Sequence, residues 1–189
     1  MKKNTTGFTL IELLIVIAII GILAGIVLVS VNKARAKARD TVRLHNMNQI
    51  EIALEQYYLD NGSFPAYNTG AWEAEGCNPS GWGGYWDTST VDSNGDGNKF
   101  IDFLKDPRYF PGGVPVDPLN TPGTCGYIFF VKEAGYSGCP IENGGFYLLG
   151  VVDMETSDGK YPNSPDFHCG SLFYNQYFDW FDGHFESEL

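Results

Sequence analysis

Proline is absent from the first 64 residues of this 189-residue chain, and cysteine from the first 76. No side chain from Leu13 to Val31 carries a charge, and neither proline nor glycine interrupts Lys33 to Leu59. Nothing repeats at a fixed period, which excludes a solenoid or propeller. There is no G-x-S-x-G or H-E-x-x-H run, and the three histidines (His45, His168, His184) are scattered. With no residue set suited to nucleophilic or metal-assisted chemistry, no enzyme activity is expected. No cysteine pair has C-x-x-C spacing, which argues against a zinc clip.

Charge is present but unevenly placed. The chain holds 12 basic and 23 acidic residues, a net of −11. Residues 1–43 carry seven of the basic groups (Lys2, Lys3, Lys33, Arg35, Lys37, Arg39, Arg43) against Glu12 and Asp40. The remainder therefore has five basic and 21 acidic groups, a net of −16. Such a body suits solubility, divalent cations or a basic partner, and suits nucleic-acid phosphates poorly, leaving DNA only a local patch.

The nineteen residues from Leu13 to Val31 are almost entirely Leu, Ile, Val, Ala and Gly. As a helix they span roughly 28 Å, about the hydrocarbon thickness of a bilayer. The run is too long for an ordinary secretory signal, and the polar-to-apolar break falls at Gly7–Phe8. Glu12 stands at the head of this run, where an acid inside hydrocarbon costs about 2.5–3.5 kcal/mol at the centre and less near an end. One reading is that Glu12 snorkels to the interface. The other is that it has a dedicated partner.

Gly7-Phe8-Thr9-Leu10-Ile11-Glu12, preceded by a short basic leader and followed by a spanning apolar helix, resembles the prepilin signature of type IV pilins and type II secretion pseudopilins. The resemblance implies that a prepilin peptidase cuts between Gly7 and Phe8 and methylates the new amine. It also implies an inner-membrane assembly platform, minor pilins and further copies of the chain as partners. The subunit would cross the cytoplasmic membrane once with its head outside, then enter a surface filament or a periplasmic pseudopilus. The Phe8 amine would be a cation in an apolar bundle with Glu12 the acid at its depth, so pairing between neighbours would offset two desolvation penalties and set the stagger.

Lys33, Arg35, Lys37 and Arg39 follow the apolar run and are read as a collar, meeting membrane lipid headgroups first and acidic neighbours after assembly. From Lys33 to Leu59 the sequence continues as a helix, with Val42, Ile50, Ala53, Leu54, Tyr57 and Tyr58 on one face and Glu51 and Glu55 on the other. Asp60-Asn61-Gly62 supplies the stop. Leu54-Glu55-Gln56-Tyr57-Tyr58-Leu59-Asp60-Asn61-Gly62-Ser63-Phe64-Pro65 is similar to the helix exit of type II secretion major pseudopilins, as is Val116-Asp117-Pro118 ahead of an aromatic strand. Strand-like runs cover 126–132, 145–152 and 171–173. The aromatic, acidic tail 178–186 either closes the sheet edge or meets a neighbour.

The expected fold is α+β: a leader at 1–7, an apolar helix at 8–31, an amphipathic spine helix at 32–62, and a head at 63–189 with a small antiparallel sheet and long loops. Cys77, Cys125, Cys139 and Cys169 suggest two disulfides in an exported head. Three connectivities are open, and the pairs expected are Cys139–Cys169 and Cys77–Cys125.

Asp92-Ser93-Asn94-Gly95-Asp96-Gly97-Asn98 reads like the first half of a calcium loop, with oxygen ligands at alternate positions and Gly at the sharp turn. Phe103 stands where the closing Glu is expected, and Asp102 lies one residue early. The candidate ligands are Asp92, Asn94, Asp96 and Asp102; the alternative is an Asp/Asn/Gly surface turn. No other cofactor is expected. Trp72, Trp82, Trp86 and Trp180 are read as core more than as an adhesive surface. The leading reading is a filament subunit for adhesion, motility, DNA uptake or secretion. The rivals are a type II secretion pseudopilin and a tethered, calcium-dependent binding module that does not polymerise.

Overall fold

The stretch free of proline folds as one helix: in the computed structural model of the chain, α1 spans Leu10–Asn61. It ends where Gly62 turns left-handed (φ 74°) and donates its N–H to the Tyr58 carbonyl, a cap that glycine adopts without a Cβ penalty. The structure describes residues 9–64, 101–119, 126–157, 159–173 and 178–189. Contacts divide the chain into two units, one up to Ala38 and one from Arg39 onward. Helix α1 contributes to both.

In the second unit the strands are β1 (Tyr127–Lys132), β2 (Phe146–Val151), β3 (His168–Cys169), β4 (Leu172–Phe173) and β5 (Trp180–Phe185). The first, second and fifth form an antiparallel sheet in that order, while β3 and β4 make a separate two-residue ribbon. This is the expected α+β arrangement, with one change in which segment supplies the third strand. Residues 171–173 contribute only the short β4 outside the sheet, and the aromatic tail pairs with β2 instead. Its sequence Trp-Phe-Asp-Gly-His-Phe alternates with period two, so one face can be apolar throughout.

Alternation sends the sheet's side chains to two cores. Tyr127, Phe129, Tyr147, Leu149, Val151 and Trp180 pack with Met47, Ile50, Ala53 and Leu54 of the helix. Ile128, Phe130, Phe146, Leu148, Phe181 and Phe185 face the other way and are covered by Phe167, Phe178 and the Cys139–Cys169 disulfide. That second core is not foreseen by a sheet packed on the helix alone. The disulfide closes a separation of 30 residues, and the β3–β4 turn beneath it passes through Gly170 at φ 55°. Of the four tryptophans, Trp180 is core at 4% exposure; Trp72, Trp82, Trp86, Cys77 and Cys125 lie outside the described residues.

The helix face differs from the apolar pattern in two places. Val42 is exposed, whereas Asp40, Arg43 and Met47 are buried. The stripe runs 43, 47, 50, 54, at helical spacings of four, three and four, and Val42 stands about 100° away from it. A charged start to that stripe is invisible to a search for apolar residues. Glu51, expected on the outer face, is half-buried, because its position flanks the stripe beside Leu54.

Arg43 is 3% exposed and Asp40 fully buried. The guanidinium donates through Nε to Asp117 Oδ2 at 2.7 Å, through Nη1 to Asp40 Oδ1 at 2.6 Å, and through Nη1 to Glu155 Oε1 at 3.0 Å. Asp40 also accepts from the backbone N–H groups of Glu155 and Thr156 and from the Thr156 hydroxyl. Asp117 accepts the Leu119 N–H at 2.9 Å. Burial alone would lower the pKa of Arg43, yet Asp117, Asp40 and Glu155 together raise it, so the cation is permanent. Glu155 is held below the ordinary carboxylate range, chiefly by Arg39, which binds it through Nε and Nη2.

Two outcomes follow for stability, both read from denaturant midpoints of the full chain in detergent. Arg43→Ala leaves two buried carboxylates unmatched and is expected to cost about 3–5 kcal/mol, whereas Arg39→Ala, at a partly exposed pair, should cost less than about 1 kcal/mol. Replacing Cys139 and Cys169 by serine is expected to cost about 3–4 kcal/mol from the loop closed.

Candidate functional site

In the first unit, helix α1 packs against nothing else among the described residues. Leu10, Ile22 and Leu28 are 74%, 66% and 63% exposed, and every large aliphatic residue between Leu13 and Val31 is exposed. Fourteen such side chains lie in that interval. At about 1.5 kcal/mol or more for each buried, covering them is worth on the order of 20 kcal/mol. A surface of this size does not stay in water. Among the described residues α1 is the one helix long and apolar enough to cross a membrane.

The polar end of this surface is built by two side chains. Glu12 Oε2 accepts from the Thr9 backbone N–H at 2.8 Å and from the Thr9 hydroxyl at 2.7 Å, while Thr9 Oγ1 accepts the Glu12 N–H at 3.3 Å. Thr9 is thus the N-cap and Glu12 the N3 residue of a capping box. Sequence reading weighed Glu12 for its charge and passed over Thr9-x-x-Glu12, which is legible as a helix start. Among the described residues the carboxylate therefore has two neutral donors and no cation. Gly7 and Phe8, the residues expected to be processed, lie outside the described residues, as does the Phe8 amine that Glu12 is expected to meet.

Gly21 and Gly25 sit one turn apart in the same helix, and a Cβ built on either would touch nothing. The chain's own packing does not require glycine there. Of the expected collar, Lys33, Arg35 and Lys37 are exposed. Arg39 is engaged by Glu155 of the same chain, so its acidic neighbour is internal.

The calcium reading falls mostly beyond view: Asp92, Asn94 and Asp96 lie outside the described residues, and Asp102 opens a single 3-10 turn, Asp102–Leu104. Among the described residues no three His, Cys, Asp or Glu side chains could hold a metal ion.

Against this geometry the comparisons with known proteins are specific to the N-terminal part. A family model, the prokaryotic N-terminal methylation motif, matches residues 2–28. The type IV wide pilus major component of Thermus thermophilus is 48% identical over 62 residues, covering 33% of this chain and 47% of that protein. The type II secretion system core protein G of Pseudomonas aeruginosa is 38% identical over 69 residues, 36% of this chain and 49% of that one. A fimbrial protein of Neisseria meningitidis is 41% identical over 71 residues, 38% and 42% of the two chains. The chain spans about half the length of the curated relatives it matches. No solved structure matches it. Over its N-terminal third the chain is pilin-like: it carries the prokaryotic N-terminal methylation motif and is similar to type IV pilins and to a type II secretion core protein.

Proposed function

We propose that the chain is a structural subunit of a type IV pilus-like filament. It would be cut between Gly7 and Phe8 by a prepilin peptidase, held in the cytoplasmic membrane by 8–31, and then packed helix to helix with copies of itself. The observation that carries this reading is the fully exposed aliphatic helix with a single acid, Glu12, at its head. Membrane lipid covers that surface before assembly and neighbouring helices cover it afterwards.

Glu12 and the two glycines favour polymerisation over a plain anchor. An anchor gains nothing from an acid at the edge of hydrocarbon. A bundle of copies gains register when Glu12 exchanges its neutral Thr9 donors for the cationic amine of a neighbour's Phe8. Gly21 and Gly25 leave a shallow flank on which another helix can approach closely. The similarity to both a pilus component and a secretion core protein supports the shared architecture and leaves pilus and pseudopilus as two forms of one reading. A tethered module that never polymerises is the alternative, and it makes Glu12 dispensable.

Intact mass and N-terminal sequencing of the protein from its native cells test the reading directly. The expected mature chain begins at an N-methylated Phe8, and Glu12→Ala abolishes filament recovery. An uncut chain indifferent to Glu12→Ala would instead establish the tethered module. Thr9→Ala separates the two roles of Glu12. It is expected to weaken the helix start by about 1 kcal/mol, seen as faster amide exchange at residues 10–13, while filaments still form. Equal loss of filaments in Thr9→Ala and Glu12→Ala would reduce Glu12 to a cap.

A further inference from the structure

A second group of charged residues lies between the helix and the sheet, and filament assembly makes no use of it. Alternation along β5 turns Asp182 and His184 to the same side as Trp180, toward α1. Strand β2 sets Tyr147 opposite His184, with the two rings 5.6 Å apart. From α1, half-buried Glu51 comes close enough to Asp182 for the two carboxyl groups to repel when ionised. His184 Nε2 stands 3.6 Å from Asp182 Oδ2, and its Nδ1 stands 3.7 Å from Glu188 Oε2. The titratable groups that face one another here are Glu51 and Glu55 from α1, Tyr147 from β2, Asp182 and His184 from β5, and Glu188 from the C-terminal turn. Three carboxyl groups, of Asp182, Glu51 and Glu188, act on the one imidazole.

Two polar atoms in this seam are buried without a hydrogen-bond partner, Glu51 Oε1 and the Tyr147 hydroxyl. Tyr147 is wholly buried. Glu55 and Glu188 are exposed, but half-buried Glu51 and Asp182 face each other in the seam, where two ionised carboxylates beside one imidazole are costly and a retained proton lowers that cost. Burial, and then repulsion from Asp182, pushes Glu51 up to about 7. The Asp182 carboxylate beside it raises His184 above its ordinary value.

We propose that Glu51, Asp182 and His184 form a proton-loaded latch between α1 and β5. In the closed form Glu51 keeps its proton and donates it to Asp182, and protonated His184 donates to the same carboxylate from the other side. When both protons leave, Glu51 and Asp182 repel each other across the seam and β5 loosens from the helix.

The direction with pH follows from the folded values lying above the unfolded ones. The stability that Glu51 and His184 contribute is present in full below their ordinary values of 4.5 and 6.5. It is lost as pH rises through the folded values, so Glu51 gives a slope from 4.5 to about 7 and His184 extends it above 6.5. Glu155 and Asp166, both held low, are ionised in folded and unfolded chains across that window and add no slope.

The test is thermal unfolding of the full chain in detergent micelles between pH 5.5 and 8.5, for the wild type and for Glu51→Gln. The wild-type midpoint is expected to fall by several degrees as pH rises. Glu51→Gln keeps a donor for Asp182 and removes one titrating charge, so it should unfold at a higher temperature than the wild type at pH 8.5 and show a shallower slope. Equal slopes, or no gain at pH 8.5, would overturn the latch. The carbon NMR signal of the Glu51 carboxyl in the wild-type chain provides a measurement that does not depend on the variant folding. Titration near neutrality supports the latch, and titration near the ordinary 4.5 overturns it.

Discussion

A guanidinium withdrawn from water has to be matched by carboxylates, and around Arg43 the match comes from segments far apart in sequence. Asp40 lies on the same helix, Asp117 precedes Pro118 in a loop, and Glu155 follows β2. Two of these carboxylates are also pinned to backbone or hydroxyl donors, Asp117 by Leu119 and Asp40 by Glu155 and Thr156, while Glu155 is held by Arg39 as well. Because an unmatched buried charge is so unfavourable, the three segments have one arrangement in common. The helix can neither slide by a turn nor rotate against the sheet without breaking it. The aromatic core that begins with Met47 and Tyr127 then packs on a surface whose register is already set.

Helix α1 therefore carries two kinds of constraint along one continuous backbone. From Arg39 onward its buried face is satisfied within the chain, by ion pairs at one end and apolar contacts at the other. Between Leu13 and Val31 nothing in the described chain satisfies it. Hydrophobic surface has no direction of its own, so it can be covered equally well by lipid tails or by other helices of the same kind. What distinguishes those two environments is polar: a charge or a gap that only one of them can complement. On the filament reading, Glu12, Gly21 and Gly25 are the residues that make this distinction.

The elements were legible in the sequence where one signal dominated. The apolar run, the uninterrupted helix to Asn61 and the Gly62 stop all follow from composition and spacing. So does the α+β class, because the runs that became β1 and β2 are rich in aromatic and aliphatic residues. Reading failed where polar residues stood in for apolar ones. Arg43 occupies a core position that an apolar pattern skips in favour of Val42, and the tail is legible as a sheet edge but not as a full strand, because one face of it carries Asp182 and His184. The Val-Asp-Pro segment was noticed only as a likeness, whereas its Asp117 turns out to hold Arg43. Thr9 is legible only through the chemistry of a helix start, which the charge of Glu12 at a membrane edge masks.

That capping chemistry bears on how the acid can act. Two donors from Thr9 lower the cost of taking the Glu12 carboxylate out of water, but they are neutral and leave a full negative charge. A lone subunit is therefore best placed with Glu12 near the interface, where water completes its solvation. Moving the same carboxylate into a packed apolar bundle becomes favourable only when a cation arrives with it, since the attraction of opposite charges strengthens as water is excluded. On the filament reading that cation is the amine created by cleavage before Phe8. On that reading the cap and the ion pair are successive states of one carboxylate, the second reached only once the chain has been both processed and brought beside another copy.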